Sequence, residues 1–248
     1  MQYIQEQIAT FSPISLKEMD SVALMKRTDT KFLIAKNKIP SVLAEIKEVY
    51  QVLEIDKNRL MTYASRYFDT ENKSFYYAHH NGKINRIKIR IRQYIESKLT
   101  FLEVKQKDAK GNTTKSRIKM NDFEAKLSSK SIQFIKNITD NHFALGTSLS
   151  NEFNRITLVN IKNKERVTVD LNLSYVSGSE KKSYQNLAIV EVKQERVNRN
   201  SAIVKVLRKH RIFPYNVSKY CIGMISLYEG LKYNRFKPKL LKINKLIA

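Results

Sequence analysis

Hydrophobic residues alternate with polar ones in seven stretches of the chain: 62–70, 86–95, 100–107, 114–120, 153–159, 165–173 and 187–193. A period of two is the pattern of a strand with one face against a core. Most of the connections are short and carry turn residues, such as Asn81-Gly82 and Lys110-Gly111-Asn112. Helical spacing appears between and around these stretches. Ser15-Leu16-Lys17-Glu18 reads as a capping box opening a short helix with Leu16, Met19 and Val22 on one side. Pro40 suits the first turn of a second helix, striped by Val42, Leu43, Ile46 and Val49. Segments 122–137 and 200–210 have the same period, the latter burying Ile203, Val204, Val206 and Leu207, and a last helix is expected from Ser218 to Leu231. The pattern predicts an α+β fold: an antiparallel β-barrel with helices packed outside. No repeat and no linker rich in Gly, Pro or Ser divides the chain, so one domain is expected over 1–231, followed by a basic tail over 232–248.

The polar positions change the picture. Strand parity puts Arg86, Lys88, Arg90, Arg92 and Tyr94 on one face and Ile87, Ile89, Ile91 and Ile95 on the other. Glu103, Lys105 and Lys107 likewise oppose Leu102 and Val104, and Lys115, Arg117 and Lys119 oppose Ile118 and Met120. Arg166, Thr168 and Asp170 oppose Val167, Val169 and Leu171, and Glu191 and Lys193 oppose Val190 and Val192. A solvated charged face is the ordinary reading for any one antiparallel strand. Like charges on adjacent strands are destabilising, however, and this face carries few acids. If the sheet closes, its charged side lines a basic tunnel. A small barrel normally fills its lumen with apolar side chains, so a basic lumen calls for a strongly anionic occupant.

The chain of 248 residues has 46 Lys+Arg against 23 Asp+Glu, a formal charge of +23. That excess points to a polyanionic partner: nucleic acid, an anionic membrane or a phosphate-rich molecule. No helix-turn-helix, zinc-finger or RNP-type motif is present, so no specific nucleic acid is expected. No apolar run approaches the ~18 residues of a membrane span, and MQYIQEQIATFSPIS lacks the features of a signal peptide. The lone Cys221 excludes an internal disulfide framework and a Cys-rich zinc site. A cytoplasmic protein is expected, peripheral to the inner face of the membrane if the tail docks there. The tail mixes Arg235, Lys237, Lys239, Lys242 and Lys245 with Phe236, Leu240, Leu241, Ile243, Leu246 and Ile247. Two readings stay open for it: a solvated extension, or a segment that docks on an anionic membrane or a membrane-protein partner.

An ordered set of short motifs carries a resemblance. They are Arg27-x-x-x-Lys31-Phe32, Tyr67-Phe68-Asp69-Thr70, Tyr76-x-x-His79, Arg86-x-Lys88-x-Arg90-x-Arg92-x-Tyr94, Phe101-x-Glu103-x-Lys105 and Lys115-x-Arg117. Asn154-Arg155, Arg166-Val167-Thr168-Val169-Asp170, Glu191-Val192-Lys193 and Ser218-Lys219-Tyr220 follow. In this order, across Ser15 to Leu231, the chain resembles the vacuolar transporter chaperone (VTC) domain, the polyphosphate polymerase branch of the triphosphate tunnel metalloenzyme superfamily. The resemblance implies a tunnel that binds ATP and polyphosphate, uses Mn²⁺ or Mg²⁺, and transfers the γ-phosphoryl group of ATP to a growing chain. By motif match it implies phosphate-binding bases at Lys31, Arg90, Arg92, Lys105, Lys115, Arg155, Arg166 and Lys219, a hydroxyl contact from Ser218, and a metal ligand at Glu191. Lys88 joins the phosphate-binding set by its place on the same face as Arg90. The family commonly has Tyr-x-Arg where this chain has Phe153-Asn154-Arg155, so one phenolic hydroxyl is lost.

Phosphoryl transfer suits such a site because it needs positioning and charge neutralisation more than covalent chemistry. Arg90, Arg92, Lys31 and Lys219 are therefore expected to act on the transferred group. Guanidinium grips two phosphate oxygens and keeps its charge when crowded. Glu191 has a second reading as an ion-pair partner of Lys193 or a nearby arginine, and Glu103 is expected to pair with Lys105 or a cross-strand arginine in preference to binding metal. His79 and His80 are expected to be structural, and Tyr67, Phe68 and Tyr220 to pack, with stacking of one of the three on adenine as the open alternative. Two rival functions remain open at this point: a tunnel-type tri- or polyphosphatase, and a non-catalytic binder of polyphosphate or nucleic acid.

Overall fold

The computed structural model describes residues 1–20, 22 and 27–247. In chain order its elements are α1 (Gln2–Ala9), β1 (Pro13–Ile14), α2 (Leu16–Asp20), β2 (Thr28–Ala35), α3 (Ile39–Ala44), β3 (Gln51–Leu53), β4 (Met61–Thr70), α4 (Ser74–His80), β5 (Arg86–Tyr94), β6 (Leu99–Lys107) and β7 (Thr113–Met120). Then come α5 (Ser129–Thr139), β8 (Leu145–Asn160), β9 (Glu165–Ser177), β10 (Glu180–Tyr184), β11 (Leu187–Gln194), α6 (Ala202–Lys209), α7 (Lys219–Leu227) and α8 (Lys237–Ile247). The main sheet has the order β2-β11-β9-β8-β4-β5-β6-β7, antiparallel throughout. Among the described residues no ladder joins β2 to β7, so the barrel is a strongly curled sheet. The outer edge of β2 is covered by the chain before α7: the Tyr215 N–H donates to the Lys31 carbonyl at 2.7 Å.

All seven alternating stretches are strands. β8 starts at Leu145, well before residue 153, because its first half is polar and a bulge between Glu152 and Asn154 breaks the alternation. β2 escapes period-two reading because Phe32, Leu33 and Ile34 form a continuous buried run. The capping box holds: the Ser15 N–H donates to Glu18 at 2.8 Å and the Glu18 N–H to Ser15 Oγ at 3.2 Å. The α3 helix ends at Ala44, so Val49 falls outside it and is 45% exposed instead of joining the apolar stripe. The helix expected over 122–137 forms only from Ser129, where Ser128 caps it. The helix expected to reach Leu231 ends at Leu227.

The convex face is aliphatic and helix-covered. Phe32, Ile34, Ile156, Leu158, Val167, Val169, Val190 and Val192 pack under α1, α3 and α6 through Ile4, Ile8, Val42, Leu43, Ile203 and Leu207. Ile89, Ile91, Leu102 and Val104 pack under α5 through Ile135. The concave face is divided. At one end Leu33, Leu149, Leu173, Tyr175, Leu187 and Ile189 meet Cys221, Met224 and Ile243 from α7 and α8, which close that end with an apolar plug. Gly223 permits this approach: a Cβ there would lie 2.5 Å from Tyr175 Cδ1 and 2.9 Å from Leu149 Cδ2. Residues 237–247 are thus a packed helix, with Ile243 fully buried, and not a solvated extension. No described helix is long and apolar enough to cross a membrane.

Candidate functional site

The rest of the concave face is basic, and register explains how its residues meet. Lys88, Lys105 and Lys115 stand opposite one another on β5, β6 and β7, a single cross-strand row of three lysines. Arg90 faces Tyr67 on one side and Glu103 on the other, and Arg92 faces Ser65 and Phe101. On the other flank Arg155 faces Asp170, Thr168 faces Glu191, Arg166 faces Lys193, and Glu191 faces Lys31.

Curvature brings the two flanks together. β11 and β6 are five strands apart, about 24 Å on a flat sheet. Yet the charge of Glu191 acts on Lys105, and that of Lys31 on Lys88. The α7 N-terminus spans the same space: Lys88 donates to Ser218 Oγ at 3.2 Å, while the neighbouring Lys219 pairs with Asp170. Ser218 also caps α7 through the Cys221 N–H.

Three carboxylates each hold two cations. Glu103, wholly buried, takes Arg90 at 2.6 Å and Lys115. Asp170 takes Arg155 through two bonds of 2.6 and 2.8 Å, and Lys219. Glu191 takes Lys193 at 2.7 Å and, loosely, Lys31 at 3.8 Å. Burial opposes ionisation of all three, but their cations outweigh it and hold each carboxyl below the usual range. Glu103 therefore pairs with Arg90 across the strand and with Lys115, and not with Lys105.

Arg92, Lys88 and Lys105 have no carboxylate partner among the described residues. Arg92 donates to Ser65 Oγ at 3.1 Å and lies over the rings of Tyr63 and Phe153 at 5.5 and 5.7 Å. Among the described residues, Lys88 donates only to the Ser218 hydroxyl. Lys105 makes no hydrogen bond or ion pair among the described residues, and burial, followed by the charges of Arg90, Lys88 and Lys115, pushes its pKa down to about 7. Burial also lowers Lys88, Arg92, Lys115, Lys193 and Lys219. Such a cluster is costly when empty and favourable when a polyanion fills it.

An aromatic floor supports the guanidinium groups. Tyr63 stacks on Phe153 at 5.4 Å, Arg155 lies over Tyr63 at 4.8 Å, and Lys219 over Phe153 at 4.4 Å. Phe153, which lacks the family's usual hydroxyl, thus keeps a ring under three cations. Tyr67 packs on Tyr220 and lies 3.4 Å from Arg90 through its hydroxyl. Burial opposes ionisation of that phenol, but Arg90, Lys88 and Arg92 together lower its pKa. His80 bridges Asn81 and Asn234, both at 2.9 Å. His79 is held neutral, with its pKa driven to about 3 by burial and then by Lys88 and Arg86.

Sequence reasoning named two carboxylates without assigning either a role. Asp170 was visible as an acid on a basic face, but its partner Lys219 lies 49 residues away. Asp69 accepts the Phe75 and Tyr76 N–H groups at 2.9 Å each, starting α4, and also takes the Tyr220 hydroxyl, tying α4 to α7. The signal available for Asp69 was an acid in a run of aromatics.

As for a metal, no group of three or more His, Cys, Asp or Glu side chains could hold one among the described residues. Glu191 is a single, half-buried carboxylate, held by Lys193 at 2.7 Å through one oxygen and only loosely by Lys31 at 3.8 Å through the other. Magnesium-type ions commonly take one or two carboxylates and complete their shell with substrate phosphate and water. The donor set fits that mode and no all-protein cage.

A family model described as the VTC domain matches residues 26–228. No curated protein matches the chain. Similar solved structures include a Vibrio parahaemolyticus protein provisionally named an adenylate cyclase (9% identity, TM-score 0.48, covering 80% of this chain and 99% of that one). A Hippeastrum protein described as having a dominant triphosphatase activity gives 12% identity and a TM-score of 0.48, with 84% and 99% covered. A conserved hypothetical protein from Pyrococcus furiosus gives 13% and 0.39, with 82% and 93% covered.

Proposed function

The chain belongs to the VTC domain family, and on that premise we propose that it is an ATP-dependent polyphosphate polymerase. The observation that carries this reading is the row Lys88, Lys105 and Lys115, next to Arg90 and Arg92 on the concave face of the curled sheet. Three lysines in register, of which only Lys115 has a carboxylate partner among the described residues, suit a ligand with several linked phosphates better than a single anion.

In this reading Arg90, Arg92, Lys31 and Lys219 surround the transferred phosphoryl group, and Lys88, Lys105, Lys115, Arg155, Arg166 and Ser218 hold the phosphates on either side. An oxygen of the terminal phosphate of the chain attacks the γ-phosphorus of ATP in line. The bond from that phosphorus to the β–γ bridging oxygen breaks, and ADP leaves as the chain grows by one phosphate. The nucleophile is already ionised, so no general base is needed. Fixed cations in a poorly hydrated lumen stabilise the charge spread over the transferred group without reorganising during the reaction. Glu191 would hold a Mn²⁺ or Mg²⁺ ion together with phosphate oxygens, and the ion would supply further neutralisation of the phosphates. Lys31 and Lys193, released by Glu191, would then turn to phosphate.

The test is incubation of the purified protein with ATP and Mn²⁺ or Mg²⁺, followed by sizing of the products. Long polymer with stoichiometric ADP supports the reading. Inorganic phosphate without polymer would make the tunnel a tri- or polyphosphatase, and tight polyphosphate binding without turnover would make it a binding protein.

A further inference from the structure

The acidic residues of the chain end at Glu229, while Lys232, Arg235, Lys237, Lys239, Lys242 and Lys245 follow. All of these except Lys239 are exposed. They are held in place, because α8 packs on β2 and β11 through the buried Ile243, with Leu246 and Ile247 partly buried beside it. At the inner end of the helix Lys239 donates to the Asn216 carbonyl at 2.7 Å. It lies close enough to Lys31 and Arg86 for their charges, after burial, to lower its pKa. Lys31 in turn pairs with Glu191 on the concave face. A line of positive groups therefore leads from the site, past Lys31 and Lys239, onto the outer surface of α8. This helix lies beyond the residues matched by the family model.

We propose that α8 is an exterior polyphosphate-binding track that holds the part of an inorganic polyphosphate chain lying outside the lumen. The inference rests on the polyphosphate reading of the tunnel. A bilayer is the weaker occupant: an interfacial helix binds through its apolar face, and here Ile243, Leu246 and Ile247 pack on the protein, leaving Leu241 as the one large apolar side chain of α8 that is well exposed. A flexible polyanion needs only the exposed lysines, and each phosphate neutralised releases counterions.

The experiment is titration of the full chain with tripolyphosphate, which is short enough for the lumen alone, and with long-chain polyphosphate, at several salt concentrations. The variants are K237Q/K242Q/K245Q and, as a control on a separate basic surface strand, K181Q/K182Q. In the α8 variant tripolyphosphate affinity stays within twofold, long-chain affinity falls at least tenfold, and the salt slope drops by about 2, as expected for three lost phosphate contacts. The control keeps its long-chain affinity. Unchanged long-chain binding in the α8 variant overturns the proposal, as does an equal loss in the control. So does binding to phosphatidylserine vesicles that alone depends on the three lysines. If wild type binds long chains through α8 but fails to bind tripolyphosphate, the track survives and the tunnel reading falls. If it binds neither, both fall.

Discussion

Arg155 and Asp170 face each other on β8 and β9, joined by two hydrogen bonds of 2.6 and 2.8 Å, with Lys219 of α7 on the same carboxylate. This contact fastens α7 to the sheet. It also gives two buried cations a shared internal anion.

Asp170→Asn removes that anion and leaves two buried cations short of a partner. Breaking a buried pair typically costs about 3–5 kcal/mol, and denaturant unfolding of the ligand-free variant should show a loss of this order. Saturating tripolyphosphate should narrow the gap, because it supplies negative charge to Arg155 and Lys219. The Asp170 carboxyl is held below its usual range, so its contribution is present at neutral pH and disappears in wild type as pH falls through the folded-state value. The variant should lack that part of the acid dependence.

Lys105 has its pKa pushed down to about 7, so the empty protein binds fewer protons there than the unfolded chain does between that value and the ordinary lysine range. Ligand-free stability should therefore rise with pH across this window. Anion binding restores the charge, so tripolyphosphate binding near pH 8 should take up a proton. Calorimetry in buffers of different ionisation enthalpy measures this uptake, and Lys105→Arg, which stays charged, should abolish it.

Gly223→Ala puts a methyl group into the Tyr175 and Leu149 side chains. Overpacking of this kind costs about 1–3 kcal/mol, and thermal unfolding should register it. Displacing α7 also moves Ser218 and Lys219, so tripolyphosphate affinity should fall, although residue 223 touches no phosphate in the proposed reading.

Glu191→Gln separates metal binding from phosphate binding. Metal-dependent turnover should fall at least a hundredfold, about 2.7 kcal/mol of transition-state stabilisation. Metal-free tripolyphosphate should bind as tightly as in wild type or more tightly, because the substitution removes a negative charge from Lys31 and Lys193. Turnover within threefold of wild type would remove Glu191 from the metal role.

Much of this protein was legible before any coordinates. Alternation along a strand is a property of the local backbone, so parity alone separated Arg90 and Arg92 from Ile89 and Ile91 within β5, Glu103 and Lys105 from Val104 within β6, and Glu191 from Val190 within β11. The capping box at Ser15 and Glu18 is similarly local. Tertiary structure decided which charges neutralise one another. Lys219 reaches Asp170, and Lys105 feels Glu191, only because the sheet curls and α7 inserts against its concave side, and those distances are sums over many remote contacts. It also decided that α8 packs Ile243, Leu246 and Ile247 on the core and leaves Lys237, Lys242 and Lys245 exposed, since a stripe of leucine and isoleucine cannot indicate which surface will cover it.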